Sequence, residues 1–304
     1  MNKVIRIGTR ESQLAVWQAS LVQQLLSQYH IPSELVFIKS DGDIDLVTPL
    51  YELGVQGIFT KTLDAALLSK RIDIAVHSMK DVPTQLARGI AQAAVLPRAS
   101  FKDLLVFKGD EPPLFDAPVI ATSSIRRKAQ WLHKFPNTVI ENLRGNVNSR
   151  LRKLDESKWN GAIFAAAGLE RIGLRPEKSI ELDWMLPAPA QGAIMIVCND
   201  DDDYSKQACA LLNDEATALC TRIEKDFLRG LMGGCSTPIS ALAVIEDGQV
   251  CFRGNIFSPD GTSYAETEMK VPIPAAAETG ITAADEVLRK GGSNIAAAIR
   301  HETK

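Results

Sequence analysis

The chain has 304 residues, 45% hydrophobic and 23% charged, with a formal net charge of -3. That balance gives no bulk attraction for nucleic acid or an anionic membrane surface, so an anionic ligand has to be held by local arginines. No apolar run approaches the roughly 20 residues that span a bilayer, and MNKVIRIGTRES lacks the apolar stretch of a signal peptide, so a cytoplasmic protein of two or three domains is expected.

Residues 4–7 are predicted as a strand, and Thr9-Arg10-Glu11-Ser12 leads into a helix with Leu14, Trp17, Leu21 and Leu25 at helical spacing. Thr9 and Ser12 are both candidate caps. A helix N-terminus offers unpaired N–H groups and partial positive charge, so Arg10 has two readings, a grip for a carboxylate or an exposed turn residue. Residues 35–38 form a second predicted strand. Residues 40–57 are rich in Gly and Asp without a clean period, which reads as a lid or a disordered loop. A helix from Ile58 carries Phe59, Leu63 and Leu67 on one face. Ile72, Ile74 and Val76 then alternate with Asp73 and Ala75, which predicts a short strand with one buried face that stops at His77. Lys80 and Asp81 fall just past its carboxyl end, where ligands gather in open α/β sheets. Taken alone, they read first as a solvated ion pair, since most charged residues are surface residues.

Residues 91–96 and 104–107 are further strand candidates, with a domain crossover between them. Residues 118–121 are another, and Thr122-Ser123-Ser124-Ile125-Arg126-Arg127 opens a helix with Trp131 and Leu132. Adjacent helical residues point about 100° apart, so Arg126 and Arg127 are not expected to be buried together. Residues 139–143 followed by Arg144-Gly145-Asn146 repeat the strand-then-arginine layout, before a helix with Arg150. GAIFAAA (161–167) reads as one buried strand, with Arg171 in the next turn. Arg10, Arg126, Arg144 and Arg171 thus each follow the end of a predicted strand. Guanidinium groups bind carboxylates bidentately, so several on one rim imply a ligand with several carboxylates or phosphates. Neither G-x-x-x-x-G-K-[ST] nor G-x-G-x-x-G occurs, which disfavours a nucleotide.

LPAPAQGAIMIV (186–197) is a Pro-rich crossing segment that enters a strand through Gln191-Gly192. Asp200 to Asp203 reads as a solvated acidic turn. A helix from Glu215 carries Leu219, Ile223, Phe227 and Leu231 and stops at Gly233-Gly234. Five cysteines (198, 209, 220, 235, 251) show no C-x-x-C spacing and the four histidines do not cluster, so neither a disulfide framework nor a metal site is expected. Cys235, in GGCSTP, is a loop thiol open to close approach and therefore a candidate for reaction or covalent modification. The other four cysteines read as small core hydrophobes. Residues 239–245, 249–257 and 262–271 alternate as a three-stranded meander, and helices at 283–288 and 294–299 close the chain.

IRIGTRESQLAVWQA, DIAVHSMKDVP, ATSSIRRKAQ, LRGNVNSRL, AAAGLERIGL, LPAPAQGA and GGCSTPI, in that order, resemble the motifs of the porphobilinogen deaminase (hydroxymethylbilane synthase) family. The resemblance implies two periplasmic-binding-protein-like α/β domains and a small C-terminal α+β domain with a three-stranded antiparallel sheet: residues 1–97 with 193–213, 98–192, and 214–304. It implies a transferase that joins four porphobilinogens head to tail, with loss of ammonia each time, on a covalent dipyrromethane cofactor held by a thioether to Cys235. By the same resemblance Asp81 is the catalytic carboxylate, holding pyrrole N–H groups and stabilising the azafulvene cation. Arg10, Arg126, Arg127, Arg144, Arg150 and Arg171 bind pyrrole carboxylates, helped by Ser12, Lys80, Thr122, Ser123, Ser124, Gly145 and Asn146, with Gln191 and Gly192 at a hinge. A monomer without nucleic-acid or membrane partners is expected. The chain departs from the family's pattern at Glu52 and Gln56 in the lid, where lysine is usual, and at Ala190, where glycine is usual. A non-catalytic anion binder on the same fold explains the arginines but gives Cys235 no purpose. A cysteine hydrolase lacks a histidine base.

Overall fold

The computed structural model describes residues 3–39, 60–114, 117–232 and 237–302. Cys235, the 40–57 lid and the Gly233-Gly234 helix stop lie outside them. In chain order the elements are β1 (Ile5–Thr9), α1 (Gln13–Gln28), β2 (Ser33–Phe37), α2 (Lys61–Leu68), β3 (Ile74–Ser78), β4 (Ile90–Val95) and β5 (Asp103–Phe107). Then come β6 (Val119–Ala121), α3 (Ile125–Lys134), β7 (Val139–Glu141), α4 (Val147–Glu156), β8 (Gly161–Ala165), α5 (Ala166–Glu170) and β9 (Ser179–Glu181). The remainder is β10 (Ile194–Asn199), α6 (Asp203–Ala210), α7 (Glu215–Gly230), β11 (Ile239–Glu246), β12 (Gln249–Phe257), β13 (Tyr264–Pro272), α8 (Thr279–Val287) and α9 (Ser293–Glu302).

These elements fall into two compact units. The first holds the described chain through Ala99 together with Gly192–Ala218, and the second holds Ser100–Gln191 and Leu219–Lys304. The first unit is built on one five-stranded sheet, ordered β2-β1-β3-β10-β4. In it β1 runs parallel to β2 and β3, while β10 runs antiparallel to β3 and β4. Ile5, Ile7, Ile74, Val76, Ile194 and Ile196 bury one face under α1 and α6. The second unit contains an equivalent sheet, β7-β6-β8-β5-β9, with β6 parallel to β7 and β8, and β5 antiparallel to β8 and β9. Position for position the two sheets share one strand order and one pattern of directions, the periplasmic-binding-protein-like architecture. The second unit also carries the antiparallel meander β11-β12-β13, whose inner face packs Phe252 and Ile256 against Ile223 and Phe227 of α7 and Ala283 and Val287 of α8.

Several sequence expectations are corrected by this arrangement. β3 begins at Ile74, runs on through His77 and Ser78 and is buried on both faces, because β1 and β10 flank it and helices cover the sheet. The run 161–167 is not one strand: β8 ends at Ala165 and α5 takes over. The acidic run at 200–203 is not a plain turn. The Asp202 carboxylate caps α6 by accepting the Ser205 N–H at 3.0 Å, the preferred chemistry for a helix start.

Candidate functional site

In the first unit, β1 and β3 are adjacent parallel strands, so their carboxyl ends deliver two candidate segments to one sheet edge. Arg10 follows β1 directly, and Ser12 is the N-cap residue of α1, without a side-chain capping bond. Beyond β3 the chain tightens into a single 3-10 turn, Met79–Asp81, which holds Lys80 and Asp81 half-buried. The Met79 N–H donates to Ala193 O at 3.0 Å, and the Val82 N–H closes the turn on Met79 O. Buried Gln18, on α1, donates to Ser78 Oγ at 2.9 Å and ties the helix to the end of β3. His77 is buried beside this edge. Desolvation first, and the Arg10 charge second, push its pKa down to about 4, so the imidazole is neutral at working pH. Gly192 takes a positive φ of 88° and accepts the Ala99 N–H at 3.1 Å.

In the second unit, β7, β6 and β8 lie side by side and parallel, and the segments after all three reach one edge. After β6, Thr122-Ser123-Ser124 forms a loop that is stitched to the loop after β7. The Thr122 N–H donates to Glu141 O at 2.8 Å, while Ser123 Oγ donates to Asn142 Oδ1 at 2.6 Å and accepts the Leu143 N–H. Ser124 caps α3 and Asn146 caps α4, each with its side-chain oxygen. Gly145 has φ +116°, where a side chain would be strained and would crowd Ser149. Its carbonyl accepts Arg150 Nε at 2.7 Å. Arg144 is buried. Arg171 follows α5, and burial pushes its pKa down to about 10 although Glu170 pulls it back up.

Arg126 and Arg127 are both buried, 4% and 5% exposed, against the expectation from helical geometry. The reason is reach rather than face. Both lie in the first turn of α3, and both guanidinium groups extend to one carboxylate, Asp103, at the start of β5. Arg127 donates Nε and Nη2 to Asp103 Oδ1 at 3.0 and 2.7 Å and Nη1 to Ile163 O at 2.9 Å. Arg126 pairs Nη2 with Asp103 Oδ2 at 2.8 Å and donates Nη1 to Leu186 O at 2.8 Å. The Gln191 amide also reaches Asp103 Oδ1, at 3.0 Å, and Phe101 O, at 2.8 Å. Burial alone would raise the Asp103 pKa, but the two guanidinium groups and the Gln191 and Arg127 hydrogen bonds hold it at about 2.

Sequence reasoning missed Asp103, and a signal existed: DLLVF is an apolar strand opened by one acid, in a chain with two adjacent arginines to balance. Glu224 was missed as well. It is fully buried on α7, and its carboxylate accepts the Ala190 N–H at 2.6 Å and the Ala243 N–H at 2.8 Å. Ala190 takes φ +62°, a left-handed conformation that glycine adopts without strain, so the departure from glycine there carries a steric cost.

Two family models match the chain. The porphobilinogen deaminase dipyromethane cofactor binding domain covers residues 5–207, and the porphobilinogen deaminase C-terminal domain covers residues 218–289. Among solved structures, the chain is similar to the methionine binding protein MetQ, at 16% identity over 68% of this chain and 89% of that one, with a TM-score of 0.44. It is also similar to the GluR0 ligand-binding core from Nostoc punctiforme, in complex with L-glutamate, at 15% identity over 68% and 92%, TM-score 0.39. A third is the BvgS VFT2 domain of Bordetella pertussis, at 10% identity over 68% and 85%, TM-score 0.41.

Proposed function

We propose a working mechanism from one premise: the chain belongs to the porphobilinogen deaminase family. Its function is hydroxymethylbilane synthesis from porphobilinogen, and it uses a dipyrromethane cofactor. The match of the cofactor-domain model over residues 5–207 is the observation that carries this reading. The cofactor supplies a covalent primer with four carboxylates and a nucleophilic pyrrole end. The residues present suit such a polyanion, since Asp103 offers a single carboxylate to two buried guanidinium groups.

Asp81 is the catalytic carboxylate in this reading. Held on a turn at the end of a buried strand, it accepts pyrrole N–H groups and stabilises the positive charge that develops as ammonia leaves porphobilinogen, and it moves protons to and from the reacting pyrrole. Lys80, Arg10 and Ser12 bind carboxylates at the edge of the first sheet. Arg126, Arg127, Arg144, Arg150 and Arg171 bind them in the second unit, helped by Thr122, Ser123, Ser124, Gly145 and Asn146. Charge-assisted bonds of this kind are about twice as strong as neutral ones. Cys235 carries the cofactor as a thioether.

The finer assignments belong to the same proposal. Three domains, 1–97 with 193–213, 98–192 and 214–304, are supported by the two sheets of the second unit, each with its own core. A cytoplasmic transferase fits the free thiols of Cys198, Cys209, Cys220 and Cys251, and a monomer is part of the same proposal. Among the described residues no helix is long and apolar enough to cross a membrane.

The test is intact mass. The purified chain is expected to exceed its sequence mass by two porphobilinogens less two ammonias, and Cys235→Ser to lack the excess. A parent chain with no excess, even after incubation with porphobilinogen, would leave an anion binder as the better reading. Asp81→Ala should fold and stop turnover, and a near-normal rate would remove Asp81 from the mechanism.

A further inference from the structure

In the second unit, the crossing segment 186–191 runs between β9 and β10 outside any strand. Pro187 and Pro189 have no N–H to give a sheet neighbour, so other groups have to fix this stretch of backbone. At its start the fixing group is Gln130, a buried residue of α3. Its carboxamide meets both polar groups of Leu186 at once: Oε1 accepts the Leu186 N–H at 2.8 Å, and Nε2 donates to Leu186 O at 3.0 Å. The same double exchange joins a hydrogen-bonded pair across an antiparallel ladder, and it fixes orientation as well as distance. Nε2 also donates to Ser240 Oγ at 2.9 Å, on β11, where the serine is fully buried. Both amide hydrogens and the carbonyl oxygen of Gln130 are thereby engaged.

Arg126 stands four residues before Gln130, so the two side chains lie on one face of α3. The Arg126 guanidinium has two anchors. Nη2 pairs with Asp103 Oδ2 at 2.8 Å, and Nη1 donates to Leu186 O at 2.8 Å. Leu186 O therefore accepts from Arg126 and from Gln130, one lone pair for each. The first anchor belongs to a sheet strand, β5. The second is a carbonyl outside any strand, and Gln130 sets its place.

We propose that Gln130 is a positioning residue for Arg126: by clamping both polar groups of Leu186, it fixes the carbonyl that orients the guanidinium. The proposal rests on the reading of Arg126 as a carboxylate-binding residue given above. The bond to Ser240 has a different part. It ties α3 to β11 and leaves the Leu186 clamp as it is, so it contributes to stability alone. Orientation matters at such a site because a misplacement of about 1 Å can cost about a hundredfold in rate.

The test compares Gln130→Met, Ser240→Ala, Arg126→Lys and the double variant Arg126→Lys/Gln130→Met as purified full chains. It reads Tm, the fraction of chains carrying the covalent dipyrromethane, and KM for porphobilinogen. Gln130→Met is expected to lose about 5 °C or more in Tm and, in the folded protein, to load less cofactor or to raise KM about tenfold. Ser240→Ala is expected to lose about 2–4 °C with parental loading and KM. A lysine ammonium is a single point that cannot span Asp103 and Leu186 O as the guanidinium does. Adding Gln130→Met to Arg126→Lys should therefore leave loading and KM within about twofold of Arg126→Lys alone. Parental loading and KM in folded Gln130→Met overturn the proposal, as do effects that multiply in the double variant. Parental values in Arg126→Lys overturn it too, because the orientation of Arg126 would then not matter. If Gln130→Met fails to fold, Gln130→Asn, whose amide is one methylene short of Leu186, takes its place under the same outcomes. If Arg126→Lys carries no cofactor, the comparison with Ser240→Ala decides, and equal effects of Gln130→Met and Ser240→Ala on loading overturn the proposal. Normal loading and KM in Arg126→Gln would instead overturn the carboxylate-binding reading of Arg126.

Discussion

Removal of the Glu224 carboxylate is expected to be among the most damaging single changes outside the ligand-binding residues. Glu224 is fully buried on α7, and each oxygen accepts a backbone N–H, from Ala190 at 2.6 Å and from Ala243 at 2.8 Å. Bonds to a charged acceptor contribute about 1.5–3 kcal/mol each, and a buried donor left without a partner costs about 1–3 kcal/mol. Glu224→Ala strands both donors, so the loss is about 3–6 kcal/mol, a large share of the roughly 5–15 kcal/mol that holds a domain together. Glu224→Gln retains one oxygen and sets an amide N–H against the other donor, which predicts about 2 kcal/mol. Urea unfolding of the second unit, followed by the fluorescence of Trp131, Trp159 and Trp184, reads both values. A loss below about 1 kcal/mol in Glu224→Ala, or an unchanged midpoint in Glu224→Gln, would show that the two backbone groups find other partners and would refute the reasoning. The Ala190 bond matters beyond stability, because it holds a left-handed residue next to Gln191, whose amide reaches Asp103.

Two further predictions concern charge and backbone. Asp103 has its folded pKa depressed to about 2, against about 3.9 in an unfolded chain. Its contribution is therefore present above about pH 4 and is lost as the pH falls toward 2, amounting to about 2.6 kcal/mol. Urea midpoints between pH 5 and pH 2.5 should fall steeply in the parent and less steeply in Asp103→Asn, which starts lower because two guanidinium groups lose their carboxylate; parallel curves would refute the assignment. At the β12–β13 turn, a Cβ on Gly261 (φ +76°) would lie 2.4 Å from Ala129 O and 2.7 Å from His133 N, whereas one on Gly248 (φ +74°) meets nothing within 4 Å. Gly248→Ala should cost about 1–2 kcal/mol, the left-handed penalty alone, and Gly261→Ala clearly more, by comparison of Tm values. Equal losses would show that the turn does not dock on α3.

Most of the scaffold was legible because its strands are short apolar runs bounded by Gly, Pro or hydroxyl residues, and because α1 and α7 repeat apolar residues at helical spacing. The misreadings have local physical causes. His77 looks like the end of a strand because it is polar, yet burial keeps its ring neutral and lets β3 continue past it. β9 is three residues long and has no period to detect. α6 was hidden by an acidic run whose third member is its cap. The edge where Arg144 and Arg171 stand was read from strand ends alone, since parallel neighbours deliver their following loops to the same side. The interior charges were not legible. Asp103 meets Arg127 across 24 residues and Glu224 meets Ala190 across 34, and no periodicity links such pairs.

The likeness of the two α/β sheets turns that interior charge into a pattern. In the first sheet the segment after β1 places Ser12 at the cap of α1, and in the second the segment after β6 places Ser124 at the cap of α3. Six residues on stand Gln18 and Gln130, both buried and both bonded to a neighbouring segment. Two and three residues past the cap, the first sheet has Leu14 and Ala15 where the second has Arg126 and Arg127. The partner position differs in the matching way. Ile194, the first residue of β10, pairs with Ser78 at the end of β3, and Asp103, the first residue of β5, pairs with Ala165 at the end of β8. The first half thus has apolar residues at these helix positions and an isoleucine at the strand start, where the second has two arginines paired with an aspartate. Burying two guanidinium groups is costly without a buried acid, and Asp103 supplies one that pairs with both. The strand order explains where the acid and the two arginines meet, since the first residue of β5 lies beside the end of β8 and Arg126 and Arg127 both pair with it.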